Sequence, residues 1–365
     1  MKKAIVVILM LGLIITLIGN SVGMGQKTLR TPQTNVSTTT IVDTEQELEE
    51  YVPKIIIKAK WGTKPGEFGI PPKGTAKRYH CPSALTVDSN GNIYVLDRWN
   101  QRIQEFTQNG KFKREIKIKT NLLKGEYFRF HEKGVAIDKD GYIYCEFSIG
   151  KDIGRIVDDR LQKFSPSGKL VKEFSYPGEW YLETTPWEEV YLSFAMTNKC
   201  YRFISFEEDK IKPWGEGRIG INGYRFKDFV GDIPKDTLTV IDKRGNKKEL
   251  SIPLIDKFVR KKKEYKKYTL WEIKYLNMDR AGYLYTISNY STYALGKITK
   301  IYKETKIVTK STLAGKVISQ IEFSPDYLEG LDIFIIIVDF KGNIYEMRCR
   351  KESGVEIVRW EINRK

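Results

Sequence analysis

The sequence predicts an all-β protein: a six-bladed β-propeller of four-stranded antiparallel blades, with seven blades as the alternative. Three observations predict it. A short strand, an Asp-opened glycine turn and a second strand recur along the chain. A second hairpin follows most copies. No run of about a dozen residues carries helical periodicity, while the 21 tyrosines and the many isoleucines favour pleated, half-buried strands.

The first copy of the motif is Leu85-Thr86-Val87-Asp88-Ser89-Asn90-Gly91-Asn92-Ile93-Tyr94-Val95. It returns around Asp138-Lys139-Asp140-Gly141, around Asp279-Arg280-Ala281-Gly282 and around Asp339-Phe340-Lys341-Gly342. Asp opens such a turn by bonding nearby backbone amides, and Gly accepts the positive φ that other residues resist. The second hairpins turn at Thr107-Gln108-Asn109-Gly110, Ser165-Pro166-Ser167-Gly168 and Asp242-Lys243-Arg244-Gly245, with a further one expected around Lys303-Glu304-Thr305. Alternation of apolar and polar residues in these hairpins suggests strands with one wet face.

The spacing sets the blade count. Asp88 and Asp138 stand one blade apart, and Asp279 lies three further periods of about 47 residues on. Two degenerate blades fall between, read at Val190–Phe194 with Cys200–Phe206 and at Gly217–Leu250. Ring closure has two solutions. Residues 319–362 can supply the whole last blade. Alternatively that blade begins near Phe334 and the N-terminal strand at Ile55–Gly62 completes it, which is the preferred arrangement because it protects open edges.

Residues 1–23 read as an export signal or N-terminal anchor: Lys2 and Lys3 precede an apolar run, and small residues follow. The uncharged stretch from residue 4 to 26 is long enough to span a bilayer if it is retained. Residues 24–50 read as a flexible Thr/Ser-rich stalk, and 51–365 as the propeller. The expected location is extracytoplasmic: secreted, periplasmic or at the cell surface. Cys81, Cys145, Cys200 and Cys349 could form disulfides there, in any of three pairings, and show no metal-like spacing.

The formal net charge is +16, from 62 Lys+Arg against 46 Asp+Glu. Such a chain attracts polyanions. The densest basic patch is Arg260, Lys261, Lys262 and Lys263, followed by Lys266 and Lys267 with tyrosines interleaved. It is the candidate binding site for an anionic glycan or a protein partner; a solvated loop is the plainer reading. Export disfavours nucleic acid as a partner, and membrane contact is expected only through the N-terminal segment.

From Trp61 to Phe112 the chain resembles an NHL repeat. Trp61-Gly62, Pro65-Gly66-Glu67-Phe68, Asp97, Asn100, Arg102-Ile103-Gln104 and Gly110-Lys111-Phe112 stand in the order of that family. Residues 136–138 and 161–164 repeat part of it. Phe323-Ser324-Pro325-Asp326 is also similar to periplasmic TolB-type repeats. The resemblance implies a propeller and leaves activity open.

No catalytic constellation emerges. Zinc lyases of NHL-like fold use several histidines, whereas this chain has only His80 and His131, each expected before a strand. A Gly-x-Ser-x-Gly elbow is missing. Asp88-Ser89-Asn90-Gly91-Asn92 superficially suggests a calcium loop, but the same turn recurs with Lys139, Arg280 and Lys341 inside it, which favours turn chemistry. No metal or other cofactor is expected. The leading expectation is a non-catalytic binding propeller; the alternative is a propeller lyase or hydrolase with a metal held by carboxylates in its channel.

Overall fold

The computed structural model describes residues 48–70, 82–119, 126–151, 155–176, 181–185, 187–194, 199–205, 210–227, 237–251, 268–293, 301–323, 334–350 and 352–363. The architecture is all-β, a propeller of four-stranded antiparallel blades. Strand β1 is Tyr51–Ala59. The first sheet is β2 (Ala84–Val87), β3 (Ile93–Asp97), β4 (Arg102–Phe106) and β5 (Phe112–Lys117). The second is β6 (Glu126–Ile137), β7 (Ile143–Lys151), β8 (Arg155–Phe164) and β9 (Leu170–Tyr176). The third is β10 (Tyr181–Thr184), β11 (Val190–Phe194), β12 (Lys199–Ser205) and β13 (Lys210–Glu216). The fourth is β14 (Arg218–Ile219), β15 (Arg225–Lys227), β16 (Thr237–Ile241) and β17 (Lys247–Ser251). The fifth is β18 (Tyr268–Met278), β19 (Leu284–Tyr293), β20 (Ile301–Ser311) and β21 (Val317–Phe323). The sixth holds β22 (Phe334–Val338), β23 (Ile344–Arg350) and β24 (Gly354–Ile362), with β1 as its outer strand.

The preferred closure is the one observed. Tyr51 pairs with Ile362 and Ala59 with Val355, antiparallel, with one irregularity between Ile55 and Ile57. The first and last strands of the ring thus share a sheet and leave no open end to template a foreign strand. The inner strand β2 lies beside β6 and β22, β6 beside β10, and β18 beside β22. The third and fourth sheets meet where the Ile219 N–H donates to the Tyr191 hydroxyl at 3.2 Å.

The core is divided among the seams between sheets. One cluster joins Ile57, Val355 and Ile357 of the sixth sheet to Val87, Val95 and Phe106 of the first. Another sets Ile103 and Ile116 against Val135, Cys145 and Phe147. The second and third sheets share Leu161, Leu182 and Leu192; the fourth and fifth share Phe226, Val240, Ile273 and Tyr275; the fifth and sixth share Ile287, Val308, Ile336 and Ile344. The Phe226 and Tyr275 rings stack at 4.6 Å. Between the third and fourth sheets the apolar cluster shrinks to Tyr191 and Ile219.

This seam arrangement corrects the expectation of one wet face. Every residue of β4 is buried, Arg102, Gln104 and Glu105 included. A blade is covered on both sides by its neighbours, so its polar side chains are sealed in and must find partners there. Wet positions are common on outer strands such as β5 and β17. Three local expectations also change. Residues 303–305 lie inside β20, and the hairpin turns instead at Thr312, whose carbonyl accepts the Gly315 N–H at 2.9 Å. Phe323 ends the fifth sheet rather than opening the last one, and residues 324–326 lie outside the described residues. His131 falls within β6 rather than ahead of a strand.

The Asp turns are built as the sequence suggests, with an addition. Asp88 Oδ1 accepts the amides of Asn90 at 2.9 Å and Asn92 at 2.8 Å. Its Oδ2 accepts the Tyr94 hydroxyl at 3.3 Å. Tyr144 bonds Asp138 at 2.7 Å, Tyr285 bonds Asp279 at 3.0 Å and Tyr345 bonds Asp339 at 3.3 Å in the same way. Each turn is thereby tied to the second strand of its own blade.

These tyrosines give the protein an alkaline limit. Burial pushes Tyr51 up to about 12 from an ordinary 10.0, with Glu49 and Asp279 adding to the rise. Burial pushes Tyr94, Tyr144, Tyr285 and Tyr345 further still, helped by their acidic neighbours. A tyrosine whose pKa is raised in the fold keeps its proton after the unfolded chain has lost it. Stability is therefore full below the unfolded value of 10.0 and falls as the pH rises above it. Urea denaturation should show a midpoint that is flat up to that value and falls beyond it, and Tyr285→Phe should make the fall shallower.

A glycine pair tests the seam. A Cβ on Gly342, at φ 83°, would stand 2.5 Å from the Tyr285 hydroxyl and 2.9 Å from Asp279 Oδ2, in the neighbouring sheet. Gly245 has a similar φ of 86° and nothing within 4 Å. Thermal melting should show Gly342→Ala losing about 2 kcal/mol or more and Gly245→Ala only about 1 kcal/mol.

Candidate functional site at the turn-ringed mouth

In an antiparallel meander the first and third connections of each sheet emerge on one face, and the second connection and the crossings between sheets on the other. The contacts agree. A Cβ on Gly91 would meet the Gln108 Cβ at 3.2 Å, and one on Gly223 would meet the Lys243 Cβ at 3.3 Å, so first and third turns stand side by side. On the opposite face Trp61 Nε1 donates to the Arg350 carbonyl at 3.0 Å, and Asn100 Nδ2 to the Gly62 carbonyl at 2.9 Å. We call these the turn face and the connection face.

The first turns, which follow the inner strands, surround a mouth. The Lys139 N–H donates to the Glu188 carbonyl at 3.0 Å, linking the second and third sheets. The Arg280 N–H donates to the Phe340 carbonyl at 3.0 Å, linking the fifth and sixth. Arg280 also reaches Glu188 Oε2 at 3.4 Å, from the fifth sheet to the third. Glu188 has φ 65° and stands where the comparable turns place Gly91, Gly141, Gly282 and Gly342. A side chain held in the left-handed region costs about 1–2 kcal/mol, so something other than turn stability retains this carboxylate.

Among the inner strands, buried Arg218 joins three sheets. Its guanidinium donates to the Tyr275 carbonyl at 2.5 Å and lies 3.4 Å from Glu183 Oε1. These contacts compensate for the thin apolar seam at that point, because a buried guanidinium must be both neutralised and hydrogen-bonded.

Other polar clusters hold the fold. In the first sheet Asp97 Oδ1 accepts the Gly69 amide, and its Oδ2 accepts Asn100 Nδ2 and Arg102 Nε, each at 2.9 Å. Arg102 donates onward to the carbonyls of Thr63, Lys64 and Glu67 and to Glu115. Gln104 takes the Gly66 amide at 2.8 Å and returns a bond to the Glu67 carbonyl at 2.7 Å. Burial pushes the Asp97 carboxyl up, against the lowering effect of Gly69, Asn100 and Arg102. The cluster fastens the crossing from β1 to the first sheet.

That network assigns a structural task to the residues that carry the resemblance read from the sequence. Residues 79–106 match the NHL repeat. The matched NHL repeat contains β2, β3 and β4 and all the side-chain donors to Asp97. No curated protein matches the chain. Virginiamycin B lyase from Staphylococcus aureus is a similar solved structure, 11% identical over 86% of this chain and 100% of its own, with a TM-score of 0.42. A member of the DUF4221 family from Bacteroides vulgatus is 11% identical over 88% and 100%, with a TM-score of 0.45. A protein of unknown function from Bacteroides thetaiotaomicron is 13% identical over 86% and 77%, with a TM-score of 0.42.

The residues singled out from sequence fare unevenly. Arg260, Lys261, Lys262, Lys263, Lys266 and Lys267 lie outside the described residues; the strand ends they connect, at Ser251 and Tyr268, belong to the connection face. His80 and Cys81 also lie outside, and for His131 and Cys200 only the strand backbone is described. Cys145 is a buried core thiol without a disulfide, pushed well up by burial and so unreactive near neutral pH. Cys349 is buried in a different seam. Among the described residues no three His, Cys, Asp or Glu side chains converge in a metal-binding group.

Sequence reading missed the Glu188–Arg280 contact. Its signal was present: Thr185-Pro186-Trp187-Glu188-Glu189 follows the Thr107–Lys111 pattern with Glu in the glycine position. Replacing Glu188 by Gly should leave the melting temperature unchanged or raise it, by up to about 1 kcal/mol of added stability, because strain is released and the Arg280 partner is half-exposed. A clear loss of stability would mean that the contact holds the ring.

Proposed function

We propose that the chain is an exported, non-catalytic binding propeller whose six sheets form a single six-bladed ring. All four strands of each sheet are accounted for, with β1 used in closure, so no described strand is left for a seventh blade. The observation that carries the functional reading is the employment of the acids around the mouth. Asp88, Asp138, Asp279 and Asp339 bond their own turns and tyrosines, Glu183 contacts Arg218, and Glu188 contacts Arg280. Catalysis needs carboxylates poised toward a substrate; these are turned inward to hold the frame.

The partner that fits is a protein or an anionic glycan gripped at the connection face, where the crossings between sheets, including the one that carries Arg260 to Lys267, are attached. Export of the chain leaves nucleic acid as the poorest fit.

The test is capture from envelope extract on the immobilised full chain with salt elution, run beside a variant with Arg260, Lys261, Lys262 and Lys263 all changed to Ala. The expected result is a defined partner released by salt and held roughly tenfold more weakly by the variant, since rim charges act through long-range attraction. Equal retention by both proteins removes the basic run from the account. Absence of any partner together with stoichiometric metal in elemental analysis would replace this reading with a metal-dependent lyase or hydrolase.

A further inference from the structure

We propose that the turn face is a docking surface for an anionic lipid bilayer, so that the tight turns lie against the headgroups and the connection face looks outward. This goes beyond the binding-propeller reading and shares only its premise of an extracytoplasmic chain. It concerns the face opposite the one assigned to the partner.

The first support is charge. Lys111, Lys139, Lys243, Arg244, Lys316 and Lys341 are all exposed at turn tips of this face, drawn from the first, second, fourth, fifth and sixth sheets. Within its described turns Asp140 is the one exposed acid, and Glu49 and Glu50 are exposed beside them where the chain enters β1, with Glu49 paired to Lys310. The Asp residues that open the turns do not stand among the tips. Their oxygens point back to the amides and tyrosines of their own hairpins, as at Asp339, buried beneath Lys341. The turn chemistry thus places carboxylates below and cations above. A broad array of basic tips is complementary to a plane of anionic headgroups.

The third sheet supplies no basic tip in its described turn and offers Trp187 instead, 40% exposed. An indole with an apolar body and one N–H suits the headgroup layer. It stands beside Glu188, the residue kept in a left-handed conformation at the mouth.

The described chain enters the ring on the same face. The Glu49 N–H donates to the Ile318 carbonyl at 3.0 Å, and the Glu49 carboxylate meets Lys310 at 2.7 Å, next to the last turn of the fifth sheet. The Tyr51 hydroxyl donates to the Gly342 carbonyl at 3.5 Å, in the first turn of the sixth. β1 therefore starts at the turn face.

The experiment uses the full chain carrying a donor dye through an unnatural amino acid at Ser167, exposed on the turn face, or at Ser353, exposed on the connection face. It is mixed with phosphatidylcholine vesicles, with or without phosphatidylglycerol, that contain an acceptor-labelled lipid. Strong energy transfer is expected from position 167 and weak transfer from 353 on the anionic vesicles. The transfer at 167 should fall at least about fivefold in high salt, on neutral vesicles, and in the Lys243→Glu/Arg244→Glu/Lys341→Glu variant, since surface attraction to lipid is screened within a Debye length. Trp187→Ala should lower it by a smaller factor without changing the salt dependence. Equal transfer from both positions would overturn the proposal, as would transfer at 167 indifferent to lipid charge and charge reversal. Charge-reversal-sensitive binding to inorganic polyphosphate with no vesicle contact would also overturn it and make the face a site for soluble polyanions. The Arg260–Lys263 variant keeps every turn-face residue named above, so failure here and failure of the partner reading are told apart.

Discussion

The pairing of Tyr51–Ala59 with Gly354–Ile362 is the constraint on which the rest depends. It joins the two ends of the repeat array inside one sheet. Each sheet can then be covered on both faces, because no blade remains terminal. The seam between the sixth and first sheets, with Ile57, Ile357, Val87 and Phe106, exists only because β1 has travelled round to the far end. Closure also fixes where the polypeptide leaves the ring, since the outer strand of that sheet must begin at the turn face.

Coverage on both faces explains the unusual polarity of the interior. The first sheet buries Asp97, Arg102, Gln104 and Glu105, and each is partnered, Glu105 by Lys113 and Arg114. An unpaired buried charge would cost several kcal/mol, so the sequence spends carbonyls from residues 63–67 and a whole set of side chains on satisfying Arg102. The narrowest apolar seam, at Tyr191 and Ile219, is bridged instead by Arg218 and Glu183. The same economy accounts for the mouth. The aspartates that open its turns are structural, most of its exposed tips are basic, and the one carboxylate accepted at a strained φ spans two blades.

Much of the frame was legible from residues alone. Asp88, Asp138, Asp279 and Asp339 announce their hairpins because a local bond from side chain to backbone needs no distant partner. The period between them gives the meander, and the third and fourth sheets were found where the arithmetic left room for them. The hairpin expected at Lys303–Thr305 failed because β19 and β20 extend well beyond the usual blade strand, which displaced the turn to Thr312–Lys316. The wet-face reading failed because alternation within a strand cannot show whether the polar face meets water or a second blade.

The sequence by itself determined the β class, the hairpins and the repeat period, since all three follow from local turn chemistry and strand patterning. It also carried the positive charge and the N-terminal apolar run. Only the tertiary structure decided that β1 closes the ring, that Glu188 meets Arg280, and that basic turn tips share a face with the start of β1. Those relations join residues far apart in the chain. They depend on how antiparallel strands alternate direction around a closed ring, and no window of sequence contains that geometry.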